Sequence, residues 1–389
     1  MSMIGDLNGL DVQPIIKPAV RHSDVPNEPV KTILITSIRM PEQQLWSNGL
    51  FQNIFILYKL FESAGYIPFL LVDDNKKHLD SALYHKFRTL DAHEWVNKPF
   101  KIYAYIEMGM SCGPQIRNLF KQAGAKTFKL YLGNILNIDI ETPMFHPDTN
   151  FSHHVVGDID TILVSPHYDF HQEYACAINK VYPSVKIAPY VWEPMFITDL
   201  IGTYKHQPSA PYSFTIIEPN ISFQKSSLIP IMICEAFYRK YPEKVHEIAV
   251  INGTKMLESA YFKNTILPTL DLNKSTKMHL LPRADTRTLA KSLSSNILIQ
   301  HTVNNEYNYI FLEHLAMGFP VIHNFERFKD FGYYYTGDSI KEGVEQIQKV
   351  ILTHHTRLEA YRTAALQLSW NFSISNPDNI KGWMNILDT

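Results

Sequence analysis

The segment NNEYNYIFLEHLAMGFPVIHN, residues 304–324, contains a polar loop, a helix and a short apolar strand in that order. Gly318 ends the predicted helix, and the predicted strand begins at Pro320. Asn304 or Asn305 can cap the helix, because the oxygen of a side-chain amide accepts a hydrogen bond from the free N–H groups of a first turn. The segment therefore predicts one helix and one strand of an alternating α/β fold.

The same alternation of strands and helices extends over most of the chain. A β-branched strand at 32–38, a helix at 49–64 and a strand at 67–72 form a first β-α-β unit, which predicts a parallel sheet. A cluster of proline and polar residues at 206–211 interrupts this pattern, and a new strand begins at 213. The sequence therefore predicts two Rossmann-like, doubly wound domains that face each other across a cleft.

These breaks divide the chain into four predicted regions. Residues 1–30 have no charged head followed by an apolar run, and we interpret them as a flexible N-terminal arm. Residues 31–206 form the first predicted domain, residues 212–369 form the second, and the segment 370–389 can return to the first. Because ligands of such sheets bind at the carboxyl ends of the strands, we expect the functional site in the interdomain cleft.

The composition excludes several classes of protein. The chain has 389 residues with 36 basic and 38 acidic side chains, so it lacks the excess of positive charge that is typical of nucleic-acid-binding proteins. The apolar stretches are too short to span a bilayer and no signal peptide is recognised, so we expect a cytoplasmic protein without a transmembrane segment. The three cysteines form no CxxC pair, which opposes a zinc site or a disulfide framework. The absence of GxGxxG and of GxxxxGKS/T opposes a dinucleotide-dependent oxidoreductase and a P-loop NTPase.

Two charged side chains of the second half are candidate contacts for a small anionic ligand. Lys225 precedes a predicted helix, where a cation opposes the helix dipole unless an anion is bound; a surface lysine is the alternative. Glu313 lies within the helix of the quoted segment and can accept hydrogen bonds from sugar or ribose hydroxyls. A solvated helix residue is the alternative interpretation of Glu313.

Loops after strands of the first half supply candidates for acid–base chemistry and for acceptor binding. His167 can act as a base or as a hydrogen-bonding contact, and Glu107 stands at a comparable strand end, although a lone histidine is more often structural. Gly49 permits a close backbone approach, and Trp192 offers a face for sugar stacking unless it packs in the core. The other acceptor-side candidates in these loops are Asp169 and Glu193.

Two of these segments resemble the signature of retaining GT-B glycosyltransferases. In LEHLAMGFPVI, Glu313 takes the place of the second of two family glutamates eight positions apart, while Asn305 stands at the first and Glu306 is adjacent. In that family an arginine and a lysine, five positions apart, bind the donor diphosphate. In IIEPNISFQK, Lys225 matches the lysine and Asn220 stands at the position of the arginine. The resemblance implies a nucleotide-sugar site in the second domain. Because Asn305 replaces a glutamate, it leaves open the donor sugar and whether transfer proceeds with retention.

Five segments resemble, in the same order along the chain, a little-characterised group of GT-B-like proteins: SPHYDF, APYVWEP, EPNISFQK, NYIFLEHLAMGFPVIHN and DFGYYYTGD. By the same resemblance, Asn252 and Gly253 form a turn below the nucleotide, and Arg283 lies in a loop that contacts the base. The remaining donor-side candidates are Asn305, Glu306, Tyr307 and Asn308.

The implied activity is transfer of a hexosyl or pentosyl group from a UDP- or GDP-sugar to a hydroxyl group of a glycan or glycoprotein. Lys225 and the amides at the start of the helix at 305–317 would stabilise the charge of the leaving group, so we expect neither a metal nor another cofactor. Two alternatives stay open, because fold alone does not define function. The first is a nucleotide-sugar epimerase or hydrolase on the same scaffold. The second is a protein that has lost catalytic activity and binds a glycan or a nucleotide.

Overall fold

The computed structural model describes most of the chain, in the ranges 31–41, 48–73, 82–108, 110–146, 148, 157–181 and 184–389. The N-terminal arm predicted over residues 1–30 lies outside the described residues. Among the helices that are described, none combines the length and the apolar character needed to cross a membrane.

The first half is built around a parallel sheet. Its strands are β1 (Thr32–Thr36), β2 (Ile67–Val72), β3 (Thr89–Asp91), β4 (Ala104–Glu107), β5 (Lys126–Tyr131), β6 (Thr161–Val164) and β7 (Val185–Ile187). They pair in the order β3-β2-β1-β4-β5-β6-β7. Neighbouring residues of β1 point into different apolar clusters, Ile33 and Ile35 into one and Leu34 into the other, so the sheet is buried on both faces.

The second half contains another parallel sheet of the same winding. Its strands are β8 (Tyr212–Ile217), β9 (Val245–Ile251), β10 (Met278–Leu281), β11 (Ile297–Ile299), β12 (Val321–His323) and β13 (Tyr333–Tyr334). They pair in the order β10-β9-β8-β11-β12-β13. In each sheet the strand order reverses beside the first strand, and in such folds a binding crevice opens at the carboxyl ends of the strands there.

Helices connect the strands of both sheets. Those of the first half are α1 (Gly49–Ser63), α2 (Ala92–Asn97), α3 (Pro114–Gln122), α4 (Ile135–Phe145) and α5 (Gln172–Asn179). Those that follow are α6 (Leu228–Lys240), α7 (Gly253–Met256), α8 (Asp271–Lys274), α9 (Thr286–Ser292), α10 (Tyr309–Met317), α11 (Ile340–Thr353), α12 (Leu358–Phe372) and α13 (Pro377–Asp388). One apolar cluster includes residues of α1, α10, α12 and α13, so a single core connects the two halves.

The helix of the quoted segment begins later than the sequence predicts. Helix α10 starts at Tyr309, and Asn308 caps it by accepting a hydrogen bond from the N–H of Ile310, with 2.9 Å between nitrogen and oxygen. The prediction that Asn304 or Asn305 caps this helix was wrong, because both belong to a loop that is held against the first half. Gly318 ends the helix as predicted, in the left-handed conformation that glycine adopts without strain.

The C-terminal helix α13 lies against the first half of the chain. Trp383 is 1% exposed, and its indole N–H donates a hydrogen bond to the carbonyl oxygen of Pro189 at 3.1 Å. Its ring also meets the ring of Phe61 edge to face, with 5.5 Å between centroids. Helix α13 therefore forms part of the core beneath α1.

We expect Trp383→Ala to lower the free energy of unfolding by about 3–5 kcal/mol, because it removes a buried indole from this contact. The matched control is Trp370→Ala on the preceding helix, where 47% of the residue is exposed. Its expected cost is about 0.5 kcal/mol or less. Urea unfolding followed by circular dichroism measures both changes, and equal losses in the two variants would contradict the packing described for α13.

Candidate functional site

Loops at the carboxyl ends of the two sheets meet between the halves. The side-chain amide of Asn134 donates a hydrogen bond to the carbonyl oxygen of Asn304 at 3.3 Å, and the hydroxyl of Tyr168 donates one to Asn305. On another side, the N–H of Phe223 donates to the carboxylate of Glu141 at 3.0 Å. These bonds bring the loops that follow β8 and β11 against the first half, as ligand binding between two Rossmann-like sheets requires.

His167 is the first-half candidate that lies at this meeting place. The residue is 2% exposed, its ring stacks on Tyr307 with 4.5 Å between centroids, and neither ring nitrogen has a hydrogen-bond partner among the residues that the structure describes. Burial, together with the positive charges of Arg327 and Lys225, holds the pKa of His167 well below its usual range. The imidazole is therefore neutral at pH 7 and has one nitrogen to donate and one to accept a hydrogen bond.

Arg327 is a part of the site that the sequence analysis missed. Its guanidinium Nε lies 3.2 Å from a carboxylate oxygen of Glu306, and one Nη lies 3.4 Å from Asp169. Both acids were candidates on sequence grounds, one for the donor and one for the acceptor, and the structure brings them together on this arginine. The available signal was a basic residue just beyond the carboxyl end of a buried strand, in the segment HNFERF.

Lys225 is half-buried, and its positive charge acts on a carboxyl group that sequence reasoning also missed, that of Glu218. Glu218 follows the last residue of β8 and is fully buried; one of its oxygens accepts a hydrogen bond from the N–H of His301 at 3.3 Å. Burial raises the pKa of Glu218 to about 8, against the opposing effect of Lys225. Burial also lowers the pKa of Lys225, which the Glu218 charge partly offsets.

Asn220, predicted to contact the donor phosphates, instead braces the turn between β8 and α6. Its backbone has a φ of 53°, and its side-chain oxygen accepts a hydrogen bond from the N–H of Ser227 at 2.8 Å. Its amide group donates to the hydroxyl of Ser227 at 2.9 Å and to the carbonyl oxygens of Glu218 and Asn252. With both amide hydrogens engaged in the turn, this side chain does not replace the phosphate-binding arginine of the resemblance.

The turn after β9 is hydrogen-bonded to the turn that contains Asn220. The amide of Asn252 donates to the carbonyl oxygen of Glu218 at 3.2 Å, and its own backbone is left-handed with a φ of 59°. Gly253 lies so close to Leu280 that an added Cβ would be 3.0 Å from the Leu280 Cα, which explains the glycine here by packing. Arg283 follows β10 on the exposed surface.

Glu313 is buried between helices. It is 2% exposed, accepts a hydrogen bond from the hydroxyl of Thr286 at 2.6 Å, and is hydrogen-bonded to the side chain of Gln52. Burial raises the pKa of Glu313 to about 7. The alternative of a solvated helix residue is therefore wrong, and the carboxyl group instead links α10 to α9 and α1.

Gly49 receives an aromatic ring of the second half. An added Cβ at Gly49 would lie 2.3 Å from a ring carbon of Tyr309, so the absence of a side chain lets α10 pack directly on the start of α1. The prediction of a close approach at Gly49 agrees with this geometry, but the approaching group is a side chain of the protein and not a phosphate or an acceptor.

Three other first-half candidates are buried in the core or hydrogen-bonded within the fold. Glu107 is fully buried, with an oxygen 3.2 Å from the Lys129 ammonium and the other accepting a hydrogen bond from Tyr105 at 2.8 Å. Trp192 is 1% exposed, so its ring offers no open face for sugar stacking. Glu193 accepts hydrogen bonds from the hydroxyl of Ser373 and, at 2.8 Å, from the N–H of Ile374, and thereby holds the segment before α13.

The acidic, histidine and cysteine side chains determine whether the protein can hold a metal ion. Within the described ranges, His, Cys, Asp and Glu side chains do not form a group of three or more that could hold a metal ion. The chain contains one Asp-x-Asp pair, Asp158 and Asp160. Asp160 accepts a hydrogen bond from the N–H of Thr127 at 2.9 Å and pairs with Lys121 at 2.7 Å, just before β6 begins. This pair therefore lies at the amino end of the sheet, opposite the loops of the candidate site.

Comparison with known proteins relates this geometry to a family. Residues 33–387 match the family described as "Protein of unknown function (DUF2827)". The chain belongs to this family. No curated protein matches the chain in sequence.

Solved structures similar to this member of the DUF2827 family share its two-sheet architecture at low sequence identity. An α,α-trehalose-phosphate synthase (UDP-forming) from Burkholderia xenovorans, in complex with glucose-6-phosphate, is 9% identical with a TM-score of 0.57, over 92% of this chain and 100% of that one. An E. coli structure described as trehalose-6-phosphate bound with UDP-2-fluoro glucose is 11% identical with a TM-score of 0.57, over 92% and 99%. These similarities show that the chain has the GT-B fold, as predicted.

Another similar structure is the pneumococcal O-GlcNAc transferase GtfA in complex with UDP and GlcNAc. It is 13% identical with a TM-score of 0.46, over 76% of this chain. The chain spans only 59% of the length of that protein.

We expect Glu313→Gln to change how stability depends on pH. Because burial raises the pKa of Glu313 to about 7, from 4.5, the folded state favours its protonated form. That contribution is complete below the unfolded value and is lost as the pH rises through the folded value. The wild type should therefore lose stability relative to Glu313→Gln by up to about 1.4 kcal/mol per pH unit in this window.

Urea unfolding at several pH values between these two limits measures this difference. The control is Glu359→Gln, because the side chain of Glu359 is 88% exposed and should leave the pH dependence unchanged. Parallel pH profiles for wild type and Glu313→Gln would contradict a buried, proton-holding carboxyl at this position.

Proposed function

We propose that the protein transfers a sugar from a nucleoside diphosphate sugar, UDP- or GDP-linked, to a hydroxyl group of a glycan or glycoprotein. One observation carries the proposal: the buried ring of His167 in the first half stacks on Tyr307 of the second half, with 4.5 Å between centroids. The ring nitrogens of this buried histidine have no hydrogen-bond partner in the described part of the chain, and a buried polar group without a partner favours a ligand that supplies one.

The charges around His167 suit a diphosphate. Lys225 provides a point charge. The fields of Lys225 and Arg327 act inside a partly buried region, where charge is screened less than in water. We infer that these two cations stabilise the negative charge that develops on the diphosphate leaving group, without the help of a metal ion.

The neutral form of His167 limits its role. An imidazole whose pKa is lowered accepts a proton poorly, but its N–H still donates a hydrogen bond to a phosphate or sugar oxygen. We therefore assign His167 to the binding of the donor or acceptor rather than to general base catalysis. Asp169, two residues further along and paired with Arg327, then lies at the border between the donor and acceptor regions.

We also propose a cytoplasmic location. The three cysteines, Cys112, Cys176 and Cys234, are all buried free thiols, which is typical of a reducing compartment.

A specific observation favours a second candidate function, a protein that binds a nucleotide sugar without turnover. The resemblance places a glutamate at position 305, but Asn305 is here hydrogen-bonded to Tyr168. Asn220, at the arginine position, is used in a turn. Two groups that hold the donor in the retaining enzymes are thus absent or engaged elsewhere. NMR analysis of products from a bound sugar nucleotide, with and without candidate glycan acceptors, separates transfer, hydrolysis, epimerisation and binding alone.

We expect one class of nucleoside diphosphate sugar to raise the melting temperature in a panel of UDP-, GDP-, ADP- and dTDP-sugars, because a ligand that binds only the folded state stabilises it. The shift should be the same with magnesium and with EDTA. Lys225→Ala and Arg327→Ala should each weaken binding about tenfold or more, since a hydrogen bond to a charged group contributes about 1.5–3 kcal/mol.

Lys329→Ala is the matched control for these variants. Lys329 is exposed, pairs with Glu326 at 3.1 Å, and lies two residues after Arg327. Its substitution should leave the affinity unchanged. A panel without any shift at millimolar concentrations, or equal affinities of the wild type and Lys225→Ala, would overturn the donor site.

A further inference from the structure

The turn between β8 and α6, which carries Lys225, also forms one wall of an open cavity. The cavity has a volume of about 270 Å³, and four of its lining residues belong to this turn: Asn220, Ser222, Phe223 and Ser226. The other wall comes from the end of α7 and the segment after it, which continues into a π-helix at Phe262–Ile266. Because π-helical turns are frequent at functional sites, the cavity is a candidate binding site beside the donor lysine.

The lining of the cavity combines apolar side chains with hydroxyl groups. Three large apolar residues and three serines contribute to it: Phe223, Met256, Phe262, Ser222, Ser226 and Ser259. None of these side chains carries a charge, which opposes a phosphate or a carboxylate as the ligand. A sugar ring has an apolar face of C–H groups and a rim of hydroxyl groups, so this lining suits a neutral sugar unit.

Two of the serine hydroxyl groups are held by the backbone and can still donate a hydrogen bond. Oγ of Ser226 accepts one from the N–H of Leu228 at 3.2 Å, and Oγ of Ser259 accepts one from the N–H of Phe262 at 3.3 Å. A hydroxyl group that accepts in this way keeps its own hydrogen, and within the described ranges neither serine donates it to an acceptor. Each therefore offers the cavity a fixed oxygen with a donor available.

The size and position of the cavity suit one unit of a longer chain. Its volume lies just below the range of about 300–1,000 Å³ that encloses a whole drug-sized ligand, so the rest of a chain would stay outside. At its edge, 50% of Phe223 is exposed, and the N–H of this residue is bonded to Glu141 of the first half at 3.0 Å. The cavity therefore lies where the two halves meet, and a glycan that enters the cleft can place a second unit there.

We propose that this cavity is a subsite for one neutral sugar unit of the acceptor glycan, distinct from the unit that receives the transferred sugar. The inference rests on the proposed function, because it takes the acceptor to be a glycan. Phe223 supplies an apolar face for the ring, and Ser226 and Ser259 donate hydrogen bonds to its oxygens. The acceptor is accordingly an oligosaccharide or a longer chain rather than a single sugar.

Saturation-transfer NMR with neutral tetrasaccharides of glucose, galactose, mannose or N-acetylglucosamine tests this subsite. We expect at least one of these probes to bind the wild type. Phe223→Ala and Ser259→Ala should each weaken that binding about fivefold, through the loss of an aromatic contact and of a hydrogen bond respectively. The matched control is Phe170→Ala, which removes an equally exposed ring, 54% for the residue, that does not line the cavity. It should bind the probe with the affinity of the wild type.

A thermal-shift panel of UDP- and GDP-sugars on the same variants separates this subsite from the donor site. Phe223→Ala and Ser259→Ala should keep the nucleotide-induced shift, because Lys225, Arg327 and His167 are intact. Both replaced residues are exposed, so each variant should fold with a melting temperature near that of the wild type.

Three results would overturn the subsite. Equal probe affinities in the wild type, Phe223→Ala and Ser259→Ala, or no binding of any probe, would do so, while a nucleotide-induced shift in the same samples would leave the donor site standing. A loss of nucleotide affinity in Phe223→Ala would assign the cavity to the nucleotide instead of the glycan.

Discussion

The ring of Tyr309 lies directly against Gly49, and the arrangement of the site depends on this contact between the halves. A side chain at position 49 would occupy the place of the ring. Because the first residue of α10 packs on the first residue of α1, the loop before α10 is held at the carboxyl ends of both sheets. That loop contains Tyr307, on which His167 stacks, and Asn305, which is bonded to Tyr168. The packing of Tyr309 on Gly49 thus brings His167 close enough to the second half for the charges of Arg327 and Lys225 to lower its pKa.

Burial gives the charged groups near this contact their chemical character. Lys225, Glu218, His167 and Glu313 all have pKa values displaced toward the neutral form, and desolvation is the largest cause for each. Charges in such a region interact more strongly than charges in water, which suits the recognition of a diphosphate. The same property makes an unpaired charge costly, so the site favours the binding of an anion that pairs with its cations.

The sequence predicts the fold well, since periodicity and strand composition depend on local burial. Two parallel sheets follow from β-branched runs alternating with helices, and Gly318 ends its helix as expected. The cap at Asn308 was missed, because the bonds that hold Asn304 and Asn305 come from the first half and are not encoded locally.

The site was harder to predict for the same reason. Asn220 and Lys225 were both chosen from one motif, yet the turn uses the amide of Asn220 internally. Arg327 lies outside the quoted motifs and gains importance only from its contacts with Asp169 and Glu306. Glu218 lies within IIEPNISFQK, but its complete burial is evident only from the structure. Glu107 was attractive as a strand-end carboxylate, but its partner Lys129 comes from the neighbouring strand. Pairings across strands and halves cannot be deduced from the spacing of residues in one segment.

The central claim is that a nucleoside diphosphate binds where Lys225, Arg327 and His167 converge. Hydrogen–deuterium exchange with saturating UDP or GDP, whichever binds, tests it most directly. The account predicts slower amide exchange in residues 218–227 and 301–308, with α13 and the exposed end of α12 unchanged. Binding that protects other segments and leaves these two at their ligand-free rates would contradict the account.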